Sequence, residues 1–117
     1  MTGFDERERA IEAQFEHEQA LDFFVAARAN RLLARWASRQ LRLPTQDAAD
    51  YETSVVRTAL ENGGEQAVID RLTKDLDAAG LMFAKAQLRR MRAQTMADAR
   101  AQILAEGLPP GEGSPSH

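Results

Sequence analysis

The sequence lacks several features that would define its chemistry or its compartment. It contains no cysteine, which excludes disulfides and thiolate chemistry. No apolar run approaches the roughly 20 residues that span a membrane. The N-terminus is charged where a secretory signal peptide has an apolar core. We therefore expect a cytoplasmic protein that does not insert into a membrane.

The usual constellations of an active site are also missing. There is no Ser/His/Asp set, no Cys/His pair and no glycine-rich phosphate loop. His17 lies between Glu16 and Glu18, but adjacent side chains on a helix point about 100° apart and cannot converge on one ion. We predict no catalytic residue, no metal site and no cofactor, so an uncharacterised enzyme is the weakest of the alternatives.

What the sequence does contain is helical periodicity without strand alternation. The pattern predicts a first helix that runs to about Gln40 and a second with Thr45 as its N-cap. A short third helix is closed by Gly80, with Leu81 folding back as in a Schellman motif. A fourth covers residues 84–106. At 117 residues this predicts one all-α domain, a compact four-helix bundle with an extended, mobile N-terminal helical arm.

The first helix is too long for the others. Its apolar stripe runs from residue 4 to residue 36, or about 50 Å of helix, against about 33 Å for the fourth helix. The stripe consists of Phe4, Ile11, Phe15, Val25, Leu32 and Trp36. The excess predicts three parts: an arm (residues 1–18) whose apolar face needs an external partner, a bundle (residues 19–107), and a disordered Pro/Gly/Ser-rich tail (residues 108–117).

Charge is distributed unevenly between these parts. The arm has a net charge of −4, whereas the whole chain has a net charge of −3. A partner surface with basic character is therefore expected. Arginines spaced by three and four residues form a stripe on one face of the first helix: Arg28, Arg31, Arg35, Arg39 and Arg42. Two interpretations stay open: a stripe that binds phosphate, acids or the acidic arm, or a bundle face paired with neighbouring acids. The negative total charge, and arginines without interleaved aromatics, argue against nucleic acid.

Four aromatic residues need an interpretation of their own. Phe24 lies within the arginine stripe, away from the core positions, and is a candidate contact residue together with Arg28, Arg31 and Arg35. Phe24 or Phe23 is expected to pack against the third or fourth helix. Trp36 is most simply a core residue, as is Tyr51.

The order and spacing of several segments resemble the ATP synthase inhibitor subunit zeta family of alphaproteobacteria, over residues 1–106. The matching segments are Phe4-Asp5, Arg7-Glu8, Glu12, Phe15, Ala27-Arg28, Asn30-Arg31-Leu32-Leu33, Trp36-Ala37, Ala49-Asp50-Tyr51, Val55-Val56-Arg57, Gly64, Asp75-Leu76-Asp77-Ala78-Ala79-Gly80 and Leu88-Arg89-Arg90.

The resemblance implies a non-catalytic regulatory subunit that inhibits ATP hydrolysis by a bacterial F-type ATP synthase. Its partners would be the α, β and γ subunits of the catalytic head, and it would be peripheral to the inner membrane and monomeric when free. The N-terminal segment would enter a catalytic α/β interface against the γ stalk. The working residues implied are Phe4, Asp5, Arg7, Glu8, Ile11, Glu12 and Phe15.

The chain departs from the family's usual residues at several positions: Ile11 for Phe, Phe24 for Lys, Ala29 for Arg, Ala59 for an acid, and Ala84-Lys85 for Ser-Asp at the start of the fourth helix. An alternative from another class stays open. A small helical module could bind a nucleotide or another anionic ligand through the arginine stripe and through Arg89, Arg90 and Arg92.

Overall fold

The computed structural model describes the backbone of residues 2–107 and the side chains of residues 6–107. Four helices make up this part of the chain: α1 (Thr2–Gln40), α2 (Thr45–Asn62), α3 (Glu65–Ala78) and α4 (Lys85–Glu106). They pack side by side, so the predicted all-α four-helix fold is confirmed. The molecule measures 66 × 32 × 25 Å, and α1, at 39 residues and about 58 Å, accounts for the long dimension.

Two of the turns between helices are built on the same local motif. After α3, the Leu81 amide donates to Leu76 O and the Gly80 amide to Asp77 O, each over 2.9 Å, which is the predicted Schellman motif. The same motif ends α1, where the Leu43 amide donates to Ser38 O over 3.1 Å.

One predicted cap was wrong. Thr45 is the first residue of α2 and Pro44 is the N-cap, with no side-chain hydrogen bond. The extended ψ of 159° at Pro44 starts the helix one residue earlier than expected, and the Ala48 amide donates to Pro44 O. Proline suits this end of a helix because no amide partner is needed there.

α1 is the central helix: like α3 it contacts each of the other three helices, and its contacts with α2 and α4 are the most extensive in the described part of the chain. Close approach on several sides is allowed by small residues: Ala29, Ala34, Ala37 and Ser38 are all buried. The main core joins Leu33 of α1 to buried residues of every other helix: Val55, Val68, Ile69, Leu72, Leu76 and Leu88. This packing fixes the direction in which the free end of α1 projects.

Trp36 and Tyr51 are less buried than predicted. Each packs against the core while staying partly exposed. Trp36 meets the edge of Phe83 with ring centroids 5.0 Å apart. The Tyr51 hydroxyl donates to Asp75 over 2.7 Å, and burial together with this bond raises the pKa of the phenol. A buried polar tip explains why Tyr51 lies at the margin of the core.

Candidate partner-binding arm and arginine stripe

The first turns of α1 project beyond the bundle. Every described side chain from residue 6 to residue 19 is exposed, and coverage begins at Ala20 and Leu21. Ile11 retains 61% of its accessible surface and Phe15 retains 59%. Two large apolar side chains one turn apart on an exposed helix form a surface of the kind that docks into a partner's groove.

The arm stripe, which we define as Ile11 and Phe15, continues a face that is buried further along α1. Eighteen residues complete five helical turns, so Ile11 is in line with Ala29 and Phe15 with Leu33. Both of these residues are fully buried, and Ala29 packs with Ala99 and Ile103 of α4. The arm stripe therefore extends the face that α4 covers within the bundle.

The reason α4 leaves the arm uncovered is its length and direction. It runs antiparallel to α1, since Arg92 bonds Asn30 over 3.1 Å and Arg100 reaches Asp22 at 3.4 Å. The helix ends at Glu106, still within 2.7 Å of Arg28. Coverage of α1 begins at its Ala20–Leu21 turn, where Leu21 packs on the cluster that α1 forms with α4.

The other arm residues named from the sequence are polar. Arg7, Glu8 and Glu12 are exposed, and the arm's polar contacts include the Gln14–Glu18 pair at 3.4 Å. Phe4 and Asp5 belong to α1, but their side chains lie outside the described part of the structure. The arm thus combines an apolar stripe with acidic flanks that are open to solvent.

The arginines named as candidate contact residues form salt bridges with acidic residues of neighbouring helices. Arg28 binds Glu106 of α4 at 2.7 Å. Arg31 and Arg35 approach Glu52 of α2 at 3.9 and 3.3 Å. At these three positions the structure has the paired bundle face that was one of the two interpretations of the stripe.

The Arg28–Glu106 pair shifts the pKa of both of its members. Its hydrogen bond raises the pKa of Arg28 and lowers the pKa of Glu106. Because both side chains are largely open to solvent, the pair contributes little to stability. Its structural effect is to join the end of α4 to α1.

Phe24 is half-buried and packs on the cluster formed by α1 and α4, as expected for one of the two adjacent phenylalanines. Its neighbour Phe23 is the more exposed, at 52%, and the two rings meet edge to face with centroids 5.4 Å apart. Phe24, Arg28 and Arg31 line a cavity of about 240 Å³. A second cavity of about 220 Å³ lies on the other side of Ala27 and Val56, against Phe23.

Sequence reasoning missed two polar sites inside the bundle. Glu52 is buried although it reads as an ordinary surface acid, and Arg31 and Arg35 neutralise it. Arg92 is also buried, bonded to Asn30 at 3.1 Å and to Glu65 at 3.0 Å. Burial lowers the pKa of Arg92. An acid at core spacing on α2 was the available signal for Glu52, but Arg92 offered none.

Residues that the structure describes contain no group of three or more potential metal ligands, and His17 is exposed. Within the same part of the chain, no helix is long and apolar enough to cross a membrane.

The fold and site define a class: a small helical protein whose longest helix presents an exposed, acidic, amphipathic end. Residues 1–102 match the family described as ATPase inhibitor subunit zeta, and the chain belongs to that family. No curated protein and no solved structure matches it. Membership supports an inhibitory role toward ATP synthase, and a regulatory rather than a catalytic one.

Proposed function

We propose that the arm is the inhibitory element of this protein. It enters a catalytic α/β interface of the F-type ATP synthase head and contacts the γ stalk, which blocks the hydrolytic direction of rotation. The working residues are those implied by the family resemblance: Phe4, Asp5, Arg7, Glu8, Ile11, Glu12 and Phe15.

The observation that carries this proposal is the exposure of the arm stripe. Ile11 and Phe15, at 61% and 59% exposure, lie on a helical segment that the bundle leaves uncovered. Burying both side chains in a partner would stabilise a complex by a few kcal/mol, at roughly 25 cal/mol per Å² of apolar surface. The bundle has its own core and does not need this face for folding.

The continuity of α1 adds a mechanical argument. The arm and the part of α1 inside the bundle form one uninterrupted helix of 39 residues. The bundle part of this helix is held by three neighbouring helices. A load on the arm is therefore passed to the bundle as a unit, which is what a device that stops rotation requires.

Site-specific cross-linking tests where the arm lies in the complex. Because the chain has no cysteine, one introduced thiol marks one position. Ala13→Cys places a photoreactive group on the exposed arm, and Ala93→Cys places it on an exposed position of α4. Ala13→Cys should capture γ together with α or β in the inhibited enzyme, whereas Ala93→Cys should not capture γ. Identical products from both positions, or none from Ala13→Cys in an inhibited complex, would contradict the proposal.

The alternative function, anion or nucleotide binding through the arginine stripe, has less support. Arg28, Arg31 and Arg35 already bind Glu106 and Glu52, so a ligand would have to displace carboxylates. If this alternative were the main function, the cross-linked products would not depend on whether the thiol lies in the arm.

A further inference from the structure

We propose that the second cavity, the one of about 220 Å³ against Phe23, binds a small monocarboxylate with an apolar tail. The carboxylate pairs with Arg92 and with the start of α3, and the tail lies against Phe23 and Leu60. This site is separate from the arginine stripe, since it lies on the other side of Ala27. The inference does not rest on the inhibitory role of the arm.

The wall that α1 and α2 give to the cavity is largely apolar. Phe23 and Leu60 belong to it while retaining 52% and 64% of their accessible surface. Ala26 and Ala59 belong to it as well, and their small side chains leave space that larger residues would fill. An aliphatic tail placed here buries apolar surface of both helices, as in most small-molecule sites.

The polar part of the wall centres on Arg92, whose side chain keeps only 9% of its accessible surface. Nε donates to Asn30 Oδ1 over 3.1 Å and Nη1 donates to Glu65 Oε1 over 3.0 Å. No residue in the described part of the chain accepts a hydrogen bond from Nη2. Because no fully buried side-chain nitrogen there lacks a partner, Nη2 reaches the accessible surface, and Arg92 lines the cavity.

The start of α3 is a second feature that favours an anion at this wall. Gly64 and Glu65 line the cavity, and α3 begins there with Gly64 as its N-cap and no side-chain hydrogen bond. The amides of a first helical turn have no partner within the helix, and the helix dipole is positive at this end. A carboxylate beside Arg92 Nη2 can therefore also accept from these amides.

The cost of burying Arg92 supports the same ligand. Burial lowers the pKa of Arg92, and the negative charge of Glu65 opposes that effect only in part. Glu65 is half-exposed, so its charge is screened by water. A carboxylate at Nη2 adds a charge-assisted hydrogen bond to a guanidinium that has donors to spare.

The charges around the cavity favour a ligand with a single negative charge. Arg92 and Glu65 bring no net charge as a pair, so a polyphosphate would be repelled by Glu65 after one oxygen had paired with Arg92. It would also place polar groups against Phe23 and Leu60, where they would lose water without gaining hydrogen bonds. The cavity therefore suits a monocarboxylate better than a nucleotide.

Nuclear magnetic resonance titration of the free, full-length protein with octanoate tests the proposal. Octanoate should shift the Gly64 amide and the Arg92 Nε–H resonances, with the millimolar affinity expected of so small a contact. Octanol has the same tail without the charge, and acetate has the charge without the tail. Each should bind about tenfold more weakly, or not at all, because each lacks one of the two contacts.

A cavity-filling variant locates the site. Ala26→Leu places a larger side chain in the cavity and should abolish the shifts that octanoate causes. The matched control Ala93→Leu, at an exposed position of α4, should bind octanoate like the parent.

A second variant tests the role of charge without removing the buried arginine. Glu65→Gln keeps an acceptor for Arg92 Nη1 but removes the neighbouring negative charge. It should bind octanoate severalfold more tightly, and its binding of octanol should stay unchanged.

Four results would overturn the proposal. Equal binding of octanoate and octanol would leave Arg92 no part in it, and equal binding of octanoate and acetate would leave the apolar wall none. Octanoate shifts that persist in Ala26→Leu would place the ligand elsewhere, and weaker octanoate binding by Glu65→Gln would contradict the charge argument. Failure of arm-mediated inhibition would leave these results untouched, because no ATPase is present.

Discussion

At the scale of single residues, backbone strain is concentrated at the end of α1. Arg42 has φ of 57°, and it is the one non-glycine residue with positive φ in the described part of the chain. It occupies the C′ position of the Schellman motif, where glycine is usual. A side chain in this left-handed conformation costs about 1–2 kcal/mol.

We expect replacement of Arg42 by glycine to stabilise the protein. Arg42→Gly should raise the free energy of unfolding by about 0.5–1 kcal/mol, since relief of the strain is partly offset by the greater freedom of glycine in the unfolded chain. Arg39→Gly, at an exposed helical position nearby, should lower it by about 1 kcal/mol. Urea denaturation measures both, and a destabilised Arg42→Gly protein would show that the turn does not require a left-handed residue.

At the scale of helices, periodicity and turn residues predicted most of the architecture. The bounds of α4 agree to one residue, and the end of α3 has the expected Schellman hydrogen bonds. These features are local, because glycine and the apolar repeat act within one or two turns. The cap at Thr45 failed because proline can itself begin a helix without a side-chain bond.

The central position of α1 could not be predicted in the same way. An apolar stripe reveals one buried face, whereas α1 is buried on several sides through Ala34, Ala37, Ser38 and Asn30. Alanine, serine and asparagine carry little signal of burial. For the candidate site, the unmatched arm followed from helix length, but the partners of Arg28 and Arg35 depend on tertiary packing.

The missed polar contact between α1 and α4 predicts a measurable cost. Arg92→Met should lower the free energy of unfolding by about 1–3 kcal/mol, because it leaves the buried oxygen of Asn30 without its donor. Adding Asn30→Leu should recover part of that loss, since the orphaned polar group is then removed. Arg90→Met, at an exposed position on the same helix, should stay within about 0.5 kcal/mol of the parent.

Chemical denaturation of these proteins, together with the Asn30→Leu single variant, measures each effect. Equal effects of Arg92→Met and Arg90→Met would mean that the Arg92–Asn30 bond adds nothing to the packing of α4 on α1. A double variant less stable than the sum of its parts would point to a volume defect instead of an unpaired oxygen.

At the scale of the whole molecule, the two ends of α1 differ in their surroundings. From Ala20 onward α1 is the centre of a core shared by four helices. Over residues 6–19 it is an exposed helix with an apolar stripe and acidic flanks. Family membership supports an inhibitory role, and under the proposed function the arm would engage its partner without unfolding of the bundle.

The most direct test of this account is ATP hydrolysis by the cognate synthase, titrated with the intact protein and with a variant lacking residues 2–18. The truncated protein should keep the cooperative unfolding of the bundle, since the described side chains of the deleted segment are all exposed. Ile11→Ser with Phe15→Ser should inhibit weakly, and Gln14→Ser, one residue from the stripe, should inhibit like the parent. The account predicts that inhibition disappears with the arm; equal inhibition by the intact and truncated proteins would contradict it.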